Sequence, residues 1–323
     1  MVKRAIISAG ELFLESVKVS AILFKVMIPV IIIVKLLEEL GLIRYLAVCV
    51  SPLMKIAGLP GDLGIVWGTT LVTSLYGGIA VFLSLPPESP LTVAQVTILS
   101  SMMLIAHGIP MELGIARKAG ARYSVMFLIR FGGALVYGAI LNLICGHFNL
   151  LQSTNNLLWK PAAVNNSAGG WIYAQILNLI MVFVIIFALM IMMKILKKLK
   201  ITELFSKILT PVLAPVGIGS NAINITIVGM ILGIMYGAGL ILSEAKRGHI
   251  HKKDLFFSLS LMGLCHSIIE DTLLMMLIGA NFTAIFVGRF LFSLIFVFLL
   301  VKLVSLISEK QFDKFFFKHA CLP

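Results

Sequence analysis

Histidine and carboxylate side chains recur at matched positions in two apolar stretches of the sequence. His107 is followed five residues later by Glu112, and His266 is followed by Glu270 and Asp271. Ionisable side chains are costly to bury in a membrane and are typical of ion sites and proton relays. The pattern therefore predicts that a polar solute or an ion binds here, and the alternative is a pair of hydrogen-bonded structural histidines.

One arginine follows each cluster at the same distance. Arg130 lies eighteen residues after Glu112, and Arg289 lies eighteen residues after Asp271. The turn of each hairpin falls midway, so both members of a pair are expected near the bilayer midplane. An isolated arginine at that depth costs at least about 2.5–3.5 kcal/mol. We predict two structural ion pairs, and a direct role of the carboxylates in substrate or ion coupling is the alternative left open.

Glycine, tyrosine and asparagine extend the predicted site. Tyr76-Gly77 recurs as Tyr236-Gly237, and clustered glycine lets helices pack closely or unwind around a ligand. Asn221 can hydrogen-bond either a polar solute or a neighbouring helix. The predicted substrate or ion site consists of His107, Glu112, Tyr76, Gly77, His266, Glu270, Asp271, Tyr236, Gly237 and Asn221.

Motifs for covalent chemistry do not occur in the sequence. It has no nucleophile elbow, HExxH pair or phosphate-binding glycine loop. We therefore expect no enzyme activity and no cofactor. Histidine with carboxylate also suits transition metals, so a divalent-metal conduit is kept as an alternative and the metal as undetermined.

Membrane helices must position these side chains. Only 12% of the residues are charged and 60% are hydrophobic, whereas soluble domains carry roughly 25% charged residues. We expect an all-α integral membrane protein with about ten membrane segments, of which the short, proline-containing ones are either buried spans or re-entrant arms. The segments fall near 17–37, 45–58, 63–85, 93–117, 122–146, 172–196, 202–216, 220–243, 255–279 and 281–306.

The two halves of the chain resemble one another. A shift of 159 residues superposes His107 on His266 and Arg130 on Arg289, together with the glycine-alanine turn between them. Polar residues rarely coincide by chance within apolar runs, so we infer a duplication. The expected units are a first repeat at 1–146, an extracytoplasmic linker at 147–171, a second repeat at 172–308 and a basic cytoplasmic tail at 309–323.

The charges of the loops predict that the second repeat is inverted. The loop 86–90 has no lysine or arginine, whereas its counterpart near 246–253 has four. One hairpin later the asymmetry is reversed, because 117–122 is basic and 279–282 is uncharged. By the positive-inside rule, equivalent loops lie on opposite sides of the membrane. Both termini are then cytoplasmic, and His107 and His266 are expected to approach each other near a pseudo-two-fold axis.

These residues resemble a known family, the nucleoside-recognition or Gate domain family. The resemblance covers nearly the whole chain as two fused copies. Such domains occur in spore maturation proteins, in the membrane part of ferrous iron transporters and in relatives of concentrative nucleoside transporters. The residues that carry it are Pro52, Gly58, Tyr76-Gly77-Gly78, His107 to Glu112 and Arg130, then Pro211, Gly217, Tyr236-Gly237, His266, Glu270-Asp271 and Arg289.

Together these observations predict a multi-pass secondary transporter of the bacterial cytoplasmic (inner) membrane. It would carry a small polar solute, nucleoside-like or other, with proton coupling open, through a midplane site between the repeats. Besides the metal conduit, the resemblance leaves open a non-transporting membrane assembly factor of the spore-maturation type. The expected partners are the lipid bilayer and a small-molecule or ion substrate, with a further copy of the chain left open. Nucleic acid is excluded, because the net charge of +12 lies mostly in short loops and segment ends.

Overall fold

The structure is a computed structural model of an all-helical protein. It describes residues 2–84, 90–157, 168–199, 201–247 and 249–317, and in these ranges the only strand-like pairings are two isolated β-bridges. The helices of the first half are α1 (Val2–Glu39), α2 (Leu42–Ile56), α3 (Leu63–Val72), α4 (Leu75–Ser84), α5 (Val93–Ile105), α6 (Ile109–Lys118) and α7 (Tyr123–His147). Those of the second half are α8 (Ala168–Lys198), α9 (Ile201–Leu213), α10 (Ser220–Leu232), α11 (Ile234–Arg247), α12 (Lys252–Leu264), α13 (Glu270–Met276), α14 (Arg289–Ser305) and α15 (Glu309–Phe315).

Five stretches of the described chain are long and apolar enough to cross a membrane. They are Gly10–Glu39, Val93–Lys118, Tyr123–His147, Gly169–Leu196 and Thr283–Ser305. Their outward faces carry exposed leucine, isoleucine and phenylalanine, such as Leu299 and Ile180, which a lipid bilayer would cover. Each of the ten predicted segments contains helix, but α2, α3, α4 and α10 are shorter apolar helices.

Two segments in each half are broken in the middle. The pair α5 and α6 is interrupted by Gly108 at φ 54°, and the pair α12 and α13 by Ser267 at φ 44°. Likewise α3 gives way to α4 near Thr73, and α10 gives way to α11 at Gly233. Backbone groups freed by such breaks need partners in a medium without water.

Within each half, a hydrogen bond joins the two broken segments. The Gly108 amide donates to the Thr70 carbonyl at 3.1 Å, and the Ile268 amide donates to the Met230 carbonyl at 3.0 Å. In the second half, Gly233 has φ 90° and a side chain there would collide with Ser267, so only glycine permits this approach. The broken helices therefore place the residues that follow α5 and α12 side by side in the protein interior.

Loops gather at two ends of the helical bundle. The linker end contains residues 90–93, 151–157 and 278–281, where the Val93 amide donates to the Ser153 carbonyl and the Asn155 side chain donates to the Ile278 carbonyl. The tail end contains residues 120–122, 251–253 and 309–317. The 25-residue helix α7 connects the two ends, about 38 Å apart at 1.5 Å per residue.

The C-terminal segment is built into the tail end. The Arg122 amide donates to the Phe316 carbonyl at 2.9 Å, and Lys252 pairs with Asp313 at 3.0 Å. The ring of Phe312 is fully buried and lies 5.7 Å, centroid to centroid, from that of Phe256 on α12. This segment therefore packs against both halves of the protein; residues 318–323 of the predicted tail lie outside the described part.

Candidate functional site

A half-open cavity lies where the four helix breaks meet. It has a volume of about 380 Å³, and both halves contribute to its wall through the breaks and through α1 and α8. Its polar and ionisable lining residues are Glu15, Ser74, Tyr76, His107, Glu112, Lys194, His266, Ser267, Glu270 and Asp271.

The two histidines meet at the wall of this cavity. Their Nε2 atoms are 3.1 Å apart, and both residues are buried. The expected approach of His107 to His266 is therefore confirmed. It follows from the matched breaks, because each histidine lies two residues after the end of α5 or α12.

Hydrogen bonds to the backbone orient both rings in the same way. Nδ1 of His107 lies 3.0 Å from the Met103 carbonyl oxygen, and Nδ1 of His266 lies 2.8 Å from that of Met262. A carbonyl oxygen only accepts, so in each ring Nδ1 carries the hydrogen. In the neutral tautomer that this bond selects, both Nε2 atoms present a lone pair to the space between the rings.

Two carboxylates converge on the same space. Oε1 of Glu112 lies 3.4 Å from Nε2 of His107 and 3.3 Å from Nε2 of His266. Oδ2 of Asp271 lies 3.9 Å from Nε2 of His107 and has no hydrogen-bond partner in the described structure. The site thus collects four acceptor atoms around one point.

Arg130 supports this arrangement from behind. Its guanidinium donates from Nη1 to Oε2 of Glu112, from Nε to the Ile105 carbonyl at 3.0 Å and from Nη2 to the His107 carbonyl at 2.9 Å. The structure thus contains the predicted contact between Glu112 and Arg130. Because Arg130 occupies Oε2, Oε1 remains directed at the histidines.

The predicted ion pair of Asp271 with Arg289 is wrong for the described structure. Arg289 is fully buried, its Nη2 donates weakly to Thr272 at 3.5 Å, and its Nε and Nη1 have no hydrogen-bond partner. Two physical reasons account for this. Aspartate is one methylene shorter than glutamate, and a π-helix at Thr283–Gly288 precedes Arg289 where the first half has regular α-helix, which changes the direction of the arginine side chain.

The remaining predicted site residues divide between the cavity and its surroundings. Tyr76 and Glu270 line the cavity. Gly77 and Gly237 do not; a side chain at Gly77 would collide with Thr73, and Gly237 packs against Gly229, so both serve close packing.

Two further residues predicted for the site, Asn221 and Tyr236, are not among the described residues that line the cavity. Asn221 is exposed, and its side-chain amide donates to the His249 carbonyl at 3.4 Å, so its expected place in the cavity is wrong. Tyr236 is the third residue of α11, and its side chain lies outside the described part of the structure.

Glu15 and Lys194 reach the cavity although sequence reasoning did not place them there. Glu15 lies just before the predicted segment 17–37 and Lys194 near the end of the predicted segment 172–196, and neither belongs to the predicted site. The available signal was the 159-residue shift, because it places α1 and α8 at corresponding positions in the two halves of the chain. Ser267 was also missed, since a left-handed serine leaves no mark in the sequence.

Comparison with known proteins agrees with the sequence resemblance in the second half. Residues 179–300 match the family model Gate, described as nucleoside recognition. The matched range includes His266, Glu270, Asp271 and Arg289. The uncharacterized membrane protein YvoD of Bacillus subtilis (strain 168) is 29% identical over 260 residues, which cover 79% of this chain and 81% of the relative. No solved structure matches the chain.

Proposed function

We propose that the chain is a secondary transporter of a small polar solute, a proposal supported by its membrane-spanning helices and by the match of residues 179–300 to the nucleoside-recognition (Gate) family model. The observation that carries the proposal is the cavity of about 380 Å³ at the four helix breaks. Discontinuous helices around an interior site are the construction by which many secondary transporters bind their substrates. We propose no catalytic role.

The two ends of the bundle support an inverted repeat. Loop 90–93 lies at the linker end, and its counterpart 159 residues later begins α12 at the tail end. Conversely, the turn at 120–122 lies at the tail end, and its counterpart 279–281 lies at the linker end. Each equivalent loop therefore occurs at the opposite end, which is the arrangement expected of two halves related by a two-fold axis in the membrane plane.

This arrangement favours alternating access about the histidine contact. His107 and His266 belong to different halves and touch across the interface between them. A rocking motion of one half against the other would open the cavity first to one side of the membrane and then to the other, around a fixed site. The basic tail end would face the cytoplasm of a bacterium by the positive-inside rule.

The proposal is tested by reconstituting the purified chain in proteoliposomes. Nucleosides, dipeptides and divalent metals are first compared by the thermal stabilisation that each gives, since a ligand that binds only the folded state raises its stability. Uptake of the stabilising solutes is then measured for the wild type, for Glu15→Gln and for Glu11→Gln. We expect Glu15→Gln to reduce uptake, because Glu15 lines the cavity, and Glu11→Gln, one turn away on the same helix and outside the cavity, to leave it unchanged.

Absence of stabilisation and uptake for every solute would contradict transport. That outcome would favour the non-transporting assembly factor instead. Equal uptake by both glutamine variants would contradict the cavity as the substrate site.

A further inference from the structure

We infer that the cavity binds a divalent transition-metal ion at His107, His266, Glu112 and Asp271. The assignment of a binding site rests on the geometry of these four residues. The further step, that this metal ion is the substrate that the chain transports, rests on the proposed function.

The spacing of the donor atoms fits one ion. The two Nε2 atoms and Oε1 of Glu112 form a triangle with sides of 3.1, 3.3 and 3.4 Å. In a tetrahedral site with metal–nitrogen and metal–oxygen distances of about 2.0–2.2 Å, neighbouring ligand atoms lie about 3.3–3.6 Å apart. Two sides of the triangle fall in this range, and the third, between the two histidine nitrogens, is 0.2 Å shorter, so the triangle is close to one face of such a site. Asp271 completes the set: one of its carboxylate oxygens lies within 4.8 Å of a ring nitrogen of each histidine, and its Oδ2 is 3.9 Å from Nε2 of His107, so a small inward movement of this side chain would make it the fourth ligand.

The hydrogen bonds around the site prepare it for a cation. Both histidines donate Nδ1–H to a backbone carbonyl, which leaves each Nε2 lone pair free for a ligand bond. Metal-binding histidines make this same outer hydrogen bond, and ligating carboxylates are themselves hydrogen-bonded. Glu112 has such a hydrogen bond, because Arg130 donates to its Oε2.

A single proton satisfies this site less completely than a divalent ion. One proton placed between the Nε2 atoms would join those two acceptors and leave Oε1 of Glu112 and Oδ2 of Asp271 facing them. Acceptor atoms brought together in a low-dielectric interior repel unless a cation lies among them. A divalent ion coordinates all four atoms at once.

The ligand types select the class of metal. Two imidazoles with two carboxylates suit Zn²⁺, Co²⁺, Fe²⁺ or Mn²⁺, whereas Mg²⁺ and Ca²⁺ prefer oxygen ligands alone. The rest of the cavity favours entry of a cation, because the carboxylates of Glu15 and Glu270 face it together with a single lysine, Lys194, among the described lining residues.

Metal titration of the purified chain tests the inference. The chain is prepared without a polyhistidine tag, treated with a chelator and titrated by calorimetry with Zn²⁺, Co²⁺ and Mg²⁺. The variants are His107→Gln, His266→Gln and Asp271→Asn, and the matched control is His147→Gln, which changes an exposed histidine at the end of α7. Each variant is first shown to be folded by its elution volume and melting temperature.

The expected result is one Zn²⁺ or Co²⁺ per chain with little binding of Mg²⁺. Loss of an outer-shell partner weakens metal sites by 10–100-fold, so loss of either histidine ligand should raise Kd by at least about tenfold. His147→Gln should bind as the wild type does. Bound Co²⁺ should also gain visible absorbance in the wild type and in His147→Gln, and not in His107→Gln or His266→Gln.

Two results would overturn the inference. One is a folded wild type without saturable metal binding, including the case in which only protons act at the histidines. The other is unchanged affinity in folded His107→Gln and His266→Gln. Proteoliposome uptake separates this inference from the proposed function. Metal binding without transport of any solute would contradict the transporter proposal and leave the metal site in place. Transport of another solute by a chain that binds no metal would contradict the metal site and leave the transporter proposal in place.

Discussion

Arg130 and Arg289 occupy matched positions in two similar hairpins, are both fully buried, and differ in that only Arg130 holds a carboxylate. Arg130 makes three hydrogen bonds, one with Glu112 and two with backbone carbonyls. Arg289 has one weak hydrogen bond and two nitrogens without a partner in the described structure. The same residue type therefore has a different electrostatic environment at the two positions.

Arg130→Gln should destabilise the protein strongly. The substitution leaves Glu112 buried without its cation, and breaking a buried ion pair in this way costs about 3–5 kcal/mol. The double variant Glu112→Gln with Arg130→Gln should recover much of that loss, because no unpaired charge remains. Unfolding monitored by tryptophan fluorescence in detergent measures both. If the single and double variants are equally unstable, the ion pair is not the source of the stability.

Arg289→Met should be far milder than Arg130→Met. With two nitrogens unsatisfied and one weak hydrogen bond, the Arg289 guanidinium is poorly compensated for its desolvation, so an apolar side chain of similar length should be neutral or stabilising. The same unfolding measurement applied to both methionine variants gives the comparison. A loss of about 3 kcal/mol or more in Arg289→Met would show that this guanidinium has a partner that stabilises the folded state.

The helices of this fold could be predicted from the sequence more completely than the helix breaks and the π-helix. Hydropathy located helix in every predicted segment, since lipid-facing helices must be apolar. The break at Ser267 depends on a left-handed backbone conformation that its residue type does not dictate, whereas Gly108 and Pro110 indicate the break of the first half in the sequence. The π-helix before Arg289 is likewise set by packing, because that stretch of sequence differs little in hydrophobicity from its counterpart at the start of α7.

The candidate site was predictable where the repeat applied to it. The internal shift matches His107 with His266, and the structure brings their Nε2 atoms to 3.1 Å from each other. Asn221 has no identical counterpart, because the same shift places it on Asp62, and its absence from the cavity lining shows that a polar residue in an apolar segment is insufficient evidence for a site. Glu15 shows the reverse error, because a charge at a segment edge can still face the interior.

Phe312→Ala should loosen the C-terminal segment. Its ring is fully buried among Phe256, Phe316 and Phe317, and removal of a buried phenylalanine costs about 3–5 kcal/mol. The matched control is Phe315→Ala on the same helix, whose side chain is 53% exposed and should cost little. Limited proteolysis near the C-terminus and thermal unfolding provide the two readouts. Equal protease sensitivity of the two variants would contradict the packing described for α15.

Exchange of one lysine tests a different kind of contact at the same place. Lys252 and Asp313 are both partly exposed, so their ion pair is screened by water. Lys252→Gln should therefore change stability by no more than about 1 kcal/mol. A larger effect in the unfolding measurement would mean that the pair is shielded from solvent in the membrane-bound protein.

Cysteine labelling should place the two ends of the bundle on opposite sides of the membrane. The natural cysteines are replaced, and single cysteines are introduced at Ser153 in the linker end and at Lys314 in the tail end, both of which are exposed. If equivalent loops lie at opposite ends, a membrane-impermeant maleimide applied to intact cells should label Ser153→Cys, and Lys314→Cys should react only after the membrane is opened. The basic character of the tail end gives the sign of this expectation, because lysine and arginine favour the cytoplasmic side.

Thr154→Cys serves as a second reporter beside Ser153, and Gln311→Cys as a second beside Lys314. Labelling of all four positions from one side would rule out the inverted arrangement, and labelling of the tail end alone in intact cells would reverse the orientation while leaving the two-sided architecture in place.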